Sequence, residues 1–70
     1  MAHHDRTEIR LINKIAVHFG YLPAEQAAEA VADHVAKFWN PRMKRRLFEL
    51  VAADPQGVEP TAAAATTLLR

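Results

Sequence analysis

Apolar residues recur at steps of three and four in the first third of the chain, which is the period of one face of an α-helix. Asp5 and Glu8 have the spacing of an N-terminal capping box, and Gly20 is placed to end the helix in the left-handed conformation. The apolar stripe consists of Ile9, Ile12, Ala16 and Phe19, widened by Leu11 and Ile15. We therefore predict helix 1 over about residues 6–19.

A second amphipathic stretch follows after a short turn. Pro23 suits the first position of a helix, where its missing N–H is not needed, and Glu25 and Glu29 favour the helix dipole near that end. Alanine dominates the apolar side, so a neighbouring helix can approach closely. That side consists of Ala24, Ala27, Ala28, Val31, Val35 and Phe38. We predict helix 2 from about residue 23 to residue 38 or 39.

The dipeptide Asn40-Pro41 ends helix 2 and begins helix 3. A residue before proline is disfavoured in the α region, asparagine is a strong N-cap, and proline is suited to the first helical position. Helix 3 then carries an apolar stripe of Met43, Leu47, Leu50 and Val51, with Phe48 beside it. We predict that it ends near Ala53, because the following Asp54-Pro55-Gln56-Gly57 is a turn by composition.

The tail from Val58 predicts a short fourth helix that begins near Pro60 and covers Ala62–Leu69. Four consecutive alanines favour this helix, two threonines weaken it, and Leu68 and Leu69 are available to dock it. No stretch alternates like a strand. The predicted fold is all-α: a small three-helix bundle with a short fourth C-terminal helix. It forms one small helical domain over residues 1–70, and we expect residues 1–5 and the last few residues to be flexible.

Composition removes several classes of function. The 70-residue chain has no Cys and no Ser, which excludes disulfides, thiolate ligands of metals or clusters, and Ser or Cys nucleophiles. No apolar run approaches the ~20 residues of a membrane span, and the N-terminus has no secretory signal, so we expect a cytoplasmic protein without a membrane partner. A thin, alanine-rich core is marginal at this length, so we expect a partner or a homo-oligomer to complete it.

The sequence offers no convincing catalytic or metal-binding constellation. His18 and His34 lie on different helices and lack a ligand-type partner at i+3 or i+4, and Glu25 and Glu29 have no accompanying histidine. Exposed or half-buried histidines and a solvated acidic face are therefore the favoured interpretation. Two glycines cannot build a phosphate loop. We predict no catalytic residue, no metal ligand and no independent enzyme.

Basic residues cluster at the start of helix 3. They are Arg42, Lys44, Arg45 and Arg46, with Lys37 just before the helix break. This basic cluster has three interpretations: a solvated helix face, a surface that binds the phosphates of a nucleic acid, and a surface that docks to an anionic protein. Arg42, Arg45 and Arg46 share one side of the helix, at an end where the dipole disfavours cations. This placement favours compensation by an anionic partner.

Two aromatic residues, Phe38 and Trp39, precede the basic cluster. Consecutive helical residues point ~100° apart, so one of the two should be buried while the other is available at the surface. Tryptophan and arginine are enriched at interface hot spots. The pairing therefore indicates an interaction surface, although a tryptophan that covers a small core is the more common case.

The segment Lys37-Phe38-Trp39-Asn40-Pro41-Arg42-Met43-Lys44-Arg45 resembles the hallmark segment of the small delta subunit of NAD-dependent, molybdenum- or tungsten-containing formate dehydrogenases. That segment reads roughly as a histidine, a few helical residues and Phe-Trp-Asp-Pro-Arg-Met-Arg. His34 falls at the matching histidine, and Leu11–Ala16 followed by Phe19 resembles the opening helix of the family. Asn40 stands where the family often has Asp. The resemblance covers about residues 9–50, whereas the tail has little recognisable match.

The resemblance implies a non-catalytic accessory subunit that helps to assemble the enzyme or to keep it active. The enzyme of this family oxidises formate at a bis-molybdopterin guanine dinucleotide centre and passes electrons through Fe–S clusters and FMN to NAD. Those cofactors belong to the larger subunits, and we expect this chain to bind none of them.

Our leading hypothesis from the sequence is docking on the molybdenum-bearing alpha subunit. We expect Trp39, Arg42, Arg45 and Arg46 to make the contact, with Phe38 and Met43 supporting the turn from inside. The full predicted partner-binding set is Phe38, Trp39, Arg42, Met43, Lys44, Arg45 and Arg46.

Two alternatives stay open. A maturation factor would use Arg42, Arg45 and Arg46 to bind the phosphates of bis-molybdopterin guanine dinucleotide, since arginine suits bidentate phosphate contacts. A basic helical nucleic-acid-binding module is supported by the basic cluster alone. A formal charge of only +1 and the acids on helices 1 and 2 argue against it.

Overall fold

The computed structural model describes residues 7–70, and it contains no strand in that range. The predicted all-α class is therefore confirmed, and the fourth helix is present. The helices are α1 (Thr7–His18), α2 (Ala24–Phe38), α3 (Pro41–Ala53) and α4 (Pro60–Leu69), with a 3₁₀ turn at Pro55–Gly57 between the last two. The bundle measures 40 × 23 × 17 Å, and α2 is the longest of these helices. Within residues 7–70 we found no helix long and apolar enough to cross a membrane.

The end of α1 differs from the prediction. Neither glycine has a positive φ angle, so Gly20 is not a left-handed cap. Instead, the Gly20 N–H donates to the Val17 carbonyl at 3.0 Å, and a Cβ at Gly20 would lie 3.1 Å from that same oxygen. Glycine therefore allows a close backbone approach here. The sequence predicted a capping box at the start of helix 1 and flexibility of residues 1–5. Both predictions concern residues outside the described range.

The break between α2 and α3 is formed as the sequence predicts. The Asn40 side-chain oxygen accepts a hydrogen bond from the Met43 N–H at 2.8 Å, and Pro41 is the first helical residue. Trp39 takes an extended conformation (φ −95°, ψ 140°), and its N–H donates to the Val35 carbonyl at 2.9 Å. Pro23, by contrast, precedes α2 as its N-cap residue and is not its first helical residue.

Helix α4 belongs to the core. It makes its most extensive contacts with α2, against which Ala62 and Ala65 are fully buried (0% exposed). Thr66 is also buried, and its hydroxyl donates to the Ala62 carbonyl at 2.8 Å, which satisfies the only polar group of that side chain. The core consists of Ile9, Ile12, Ala16, Val31, Val35, Trp39, Leu47, Val58, Ala62 and Ala65. The small side chains allow α2 and α4 to pack closely.

Asn13 on α1 holds the segment that leads into α4. Its side-chain amide donates to the Gly57 carbonyl at 3.0 Å, and its side-chain oxygen accepts from the Glu59 N–H at 2.9 Å. These two bonds satisfy backbone groups at a place where the chain has just left one helix and has not yet begun the next. They fix where α4 begins, because they lie directly before Pro60.

Candidate docking surface at the corner between helices 2 and 3

The structure reverses the predicted roles of Phe38 and Trp39. Trp39 is 8% exposed and joins the core cluster that also contains Val35 and Leu47, whereas Phe38 is 72% exposed. The reason is that α2 ends between these two residues. Phe38 is still helical and continues a flank of α2, while Trp39 leaves the helix in an extended conformation that turns its ring inward. The expectation that Phe38 supports the turn from inside was therefore wrong. Met43 is half-buried against the core, as predicted.

The basic cluster divides into two pairs. Lys44 and Arg46 are two residues apart, so they point ~200° apart around the helix axis and lie on opposite flanks of α3. The Arg46 Nε lies 3.6 Å from a carboxylate oxygen of Glu8 on α1, and the Lys44 Nζ donates to the Ala36 carbonyl on α2 at 3.3 Å. These two side chains connect α3 to its neighbours, and only Arg42 and Arg45 extend into solvent without such a contact.

The position of Lys44 also explains how a cation is accommodated near the N-terminus of α3. A cation in the first turn of α3 is disfavoured by the dipole of α3, but the Ala36 carbonyl is one of the last carbonyls of α2, where a cation is favourable. Arg46 gains its compensation from Glu8. The inference that these charges need an external anion therefore no longer applies to Lys44 and Arg46. Lys37 pairs with Asp33 at 3.0 Å, and both side chains are largely exposed, so this pair contributes little.

Arg42 and Arg45 form no ion pair or hydrogen bond within residues 7–70, and both are exposed. Together with Phe38 they flank the junction of α2 and α3. We call these three residues the corner surface. The backbone beneath them is fixed by the Asn40 cap and by buried Trp39, so the three side chains project from a well-defined support.

The structure adds residues that the sequence did not link. The His34 ring packs against the Phe38 ring with centroids 4.9 Å apart and planes tilted by 43°. His34 also lines a shallow groove of about 270 Å³ between α1 and α2. We call this the histidine groove, and its lining residues are Lys14, Ile15, His18, Phe19 and His34. The i,i+4 spacing of His34 and Phe38 was the sequence signal for their contact, whereas the proximity of His18 needs the tertiary structure.

The side chains of this region are of types that occur in protein interfaces. No group of three or more potential metal-ligating side chains occurs within residues 7–70. The exposed features are an aromatic ring, two guanidinium groups and a groove with basic side chains at its edges. Such surfaces bind other molecules through apolar contact and charge, and arginine and phenylalanine are both enriched in protein interfaces.

Comparison with known proteins identifies a matching family. The family model of the NADH-dependent formate dehydrogenase delta subunit, FdsD, matches residues 9–66. The matched range includes the whole corner surface, the histidine groove and most of α4. The family likeness therefore extends well into the tail, for which the sequence alone indicated little counterpart. Searches of curated proteins and of solved structures found no match.

Proposed function

Because this chain belongs to the FdsD family of NADH-dependent formate dehydrogenase delta subunits, we propose that it is a non-catalytic accessory subunit that docks on the molybdenum-bearing alpha subunit through the corner surface. The observation that carries this proposal is the large exposure of Phe38 at the end of α2, within a few residues of two exposed arginines that have no partner within residues 7–70. Docking helps to assemble the enzyme or to keep it active, and formate oxidation takes place in the larger subunits.

The energetics favour this corner over a generic charged face. Full burial of a phenylalanine side chain contributes about 1.5–3 kcal/mol. Arginines at the rim of an interface add electrostatic steering and hydrogen bonds to carboxylates or carbonyls. Because Trp39 and the Asn40 cap already order the corner, little conformational entropy is lost when a partner binds. In this proposal Trp39 supports the surface from below and does not contact the partner.

The cofactors of the complex fit the larger subunits better than this chain. An Fe–S cluster needs thiolate ligands, and the sequence contains no cysteine. The chain would therefore contribute contacts to the subunits that hold the Fe–S clusters, the bis-molybdopterin guanine dinucleotide, the FMN and the NAD site.

A maturation role is the second candidate. It requires the arginines to bind the phosphates of bis-molybdopterin guanine dinucleotide. Arg42 and Arg45 are exposed and suited to phosphate contacts, but Arg46 is engaged by Glu8. Only Arg42 and Arg45 are thus left to bind the phosphates, and both lie on an open surface. This supports the maturation role less than protein docking.

The test is co-purification of the alpha subunit with tagged full-length chain. We expect Phe38→Ala to weaken the association by about 10-fold or more, as for an interface hot spot. Tyr21→Ala is the matched control, because Tyr21 is an equally exposed aromatic residue outside the corner. Arg42→Ala combined with Arg45→Ala should also weaken it, whereas Arg10→Ala should not.

Two results would contradict the proposal. One is unchanged association of the Phe38 and arginine variants with the alpha subunit. The other is recovery of a fully active, stable enzyme from cells that lack this chain. If association is unchanged but the arginine variants lose binding of the isolated molybdenum cofactor, the maturation role is favoured instead.

A further inference from the structure

The histidine groove lies between α1 and α2 and is continuous with the corner surface. Its floor is formed by half-buried Ile15 and Phe19, and the His18 ring meets the Phe19 ring edge-on with centroids 5.2 Å apart. His34 contributes to both places, because it lines the groove and packs against Phe38. A segment that covers Phe38 can therefore extend along the same flank of α2 into the groove.

Charge distinguishes this groove from the one on the other flank of α2. All the ionisable side chains that line the histidine groove are basic in type: Lys14, His18 and His34. A second groove, of about 540 Å³ between α2 and α4, has Glu25 and Glu29 as its ionisable side chains. Helix α2 thus separates a basic groove from an acidic one. The formal charge of +1 conceals this asymmetry.

We infer that the histidine groove is the second half of the docking surface and receives an acidic segment of the partner subunit. This inference rests on the proposed function, because it names the chemistry of the segment that follows Phe38 along α2. An apolar or aromatic side chain of that segment contacts Ile15 and Phe19. Aspartate or glutamate side chains beside it face Lys14 and His18. The occupant is specified by charge complementarity and by continuity with the corner surface.

The proposed contact explains an arrangement that the fold does not require. Lys14 and His18 are exposed, are one turn apart on α1, and form no hydrogen bond or ion pair with another side chain within residues 7–70. An acidic segment across the groove faces both side chains at once, so that its carboxylates pair with the Lys14 ammonium and accept a hydrogen bond from the His18 imidazole.

The experiment measures the affinity of the full-length chain for the purified alpha subunit at low and high salt. We expect Lys14→Glu and His18→Glu each to weaken binding by about 10-fold at low salt, with a smaller difference at high salt, because salt screens exposed charges. Arg70→Glu makes the same charge reversal at a residue outside both the histidine groove and the corner surface, and it should bind like the unaltered chain. Glu25→Gln with Glu29→Gln, in the acidic groove, should also leave binding unchanged.

A photoreactive amino acid at position 14 identifies the occupant directly. We expect it to label a segment of the partner that contains aspartate or glutamate beside an apolar residue. Labelling of a second copy of this chain, of nucleic acid, or of a partner segment without acidic residues would overturn the inference. Circular dichroism of each variant checks that the helices are retained, and His18→Gln gives a milder change at the same place.

The outcomes separate this inference from the proposed function. If Phe38→Ala weakens binding but the groove variants bind normally, the corner docks and the groove inference fails. If the groove variants weaken binding while Phe38→Ala does not, the acidic segment is supported and the assignment of the corner surface fails. If neither set has an effect, both are wrong.

Discussion

Two regions adjoin helix α2, and their structures are determined in different ways. One is the corner between α2 and α3, and the other is the packing of α4 on α2. The corner is specified by neighbouring residues: Asn40 caps α3, Pro41 begins it, and Trp39 turns into the core. Helix α4 has no side-chain cap at Glu59, and its position depends on burial of Ala62, Ala65 and Thr66 and on the distant Asn13. One region is thus determined locally and the other by tertiary contacts.

This difference has an energetic meaning. Helix α4 has ten residues, which is shorter than the ~12–15 residues at which an isolated helix becomes even marginal in water. Helix α4 is therefore stable only because it packs against α2 and α1. The corner, in contrast, contains signals that act within a few residues. Variants that weaken each region separately show how much of the stability each one provides.

The largest effect is expected at Trp39. Trp39→Ala should destabilise the fold by about 3–5 kcal/mol, because it removes a large buried ring and leaves a cavity. A domain of this size has only about 4–10 kcal/mol in total, so this variant should be largely unfolded or close to it. Urea denaturation followed by circular dichroism measures the loss. Phe38→Ala is the neighbouring control and should change stability by less than about 0.5 kcal/mol.

The next effect tests the packing of α4. Ala65→Leu should destabilise the fold by about 1–3 kcal/mol, because the enlarged side chain has no space between α4 and its neighbours. Ala64→Leu is the matched control, since Ala64 lies on the same helix but is exposed. Thermal unfolding of the two variants provides the comparison. Equal melting temperatures would show that α4 is not tightly packed on α2.

The hydrogen bonds of Asn13, which connect α1 to the start of α4, should contribute somewhat less to the free energy of unfolding. Asn13→Ala removes two hydrogen bonds, and we expect a loss of about 1–2 kcal/mol. Hydrogen exchange should increase most strongly in α4, because this segment loses the support of its first turn. Gln56→Ala, an exposed change in the same loop, should have no such effect. Uniformly faster exchange over all helices would indicate that α4 does not open separately.

The cap of α3 gives a smaller and more local effect. Asn40→Ala should destabilise the fold by about 1 kcal/mol, and Asn40→Asp should retain most of the stability because it keeps the acceptor. Chemical denaturation measures both. A loss after Asn40→Ala as large as that after Trp39→Ala would show that the corner depends on its cap more than on its buried ring.

The smallest effect is expected for the ion pair between Arg46 and Glu8. The Glu8 side chain is 13% exposed and that of Arg46 is 46% exposed, and their 3.6 Å separation is longer than a hydrogen bond. A double-mutant cycle with Glu8→Ala and Arg46→Ala should give a coupling below about 1 kcal/mol. A coupling of several kcal/mol would show that Arg46 is a major structural link between α1 and α3.

The sequence predicted the locally determined parts of the fold. Asn40, Pro41 and the end of α3 at Ala53 follow from capping and turn chemistry, and all three are confirmed. The existence of α4 also follows from its alanine run. Its central place in the core does not, because alanine and threonine carry a weak apolar pattern and the decisive partners lie on α1 and α2.

The candidate site was predicted less completely. The sequence showed that only one of Phe38 and Trp39 could be buried. Which of the two is buried depends on whether α2 ends at Phe38 or continues through Trp39. Likewise, i,i+3 and i,i+4 spacing places three arginines together, whereas the tertiary structure assigns Arg46 to Glu8 and Lys44 to the end of α2. The first difference arises from the residue at which α2 ends, and the second from contacts of α3 with α1 and α2.

The buried position of Trp39 also gives the protein an intrinsic optical reporter. It is the only tryptophan in the sequence, and it lies in the core directly beneath the corner surface. Its fluorescence emission should be blue-shifted in the folded chain and should move to the red on unfolding, when water reaches the indole ring. A partner that binds over Phe38 without altering the corner would leave that emission nearly unchanged, whereas one that reshapes the corner would shift it.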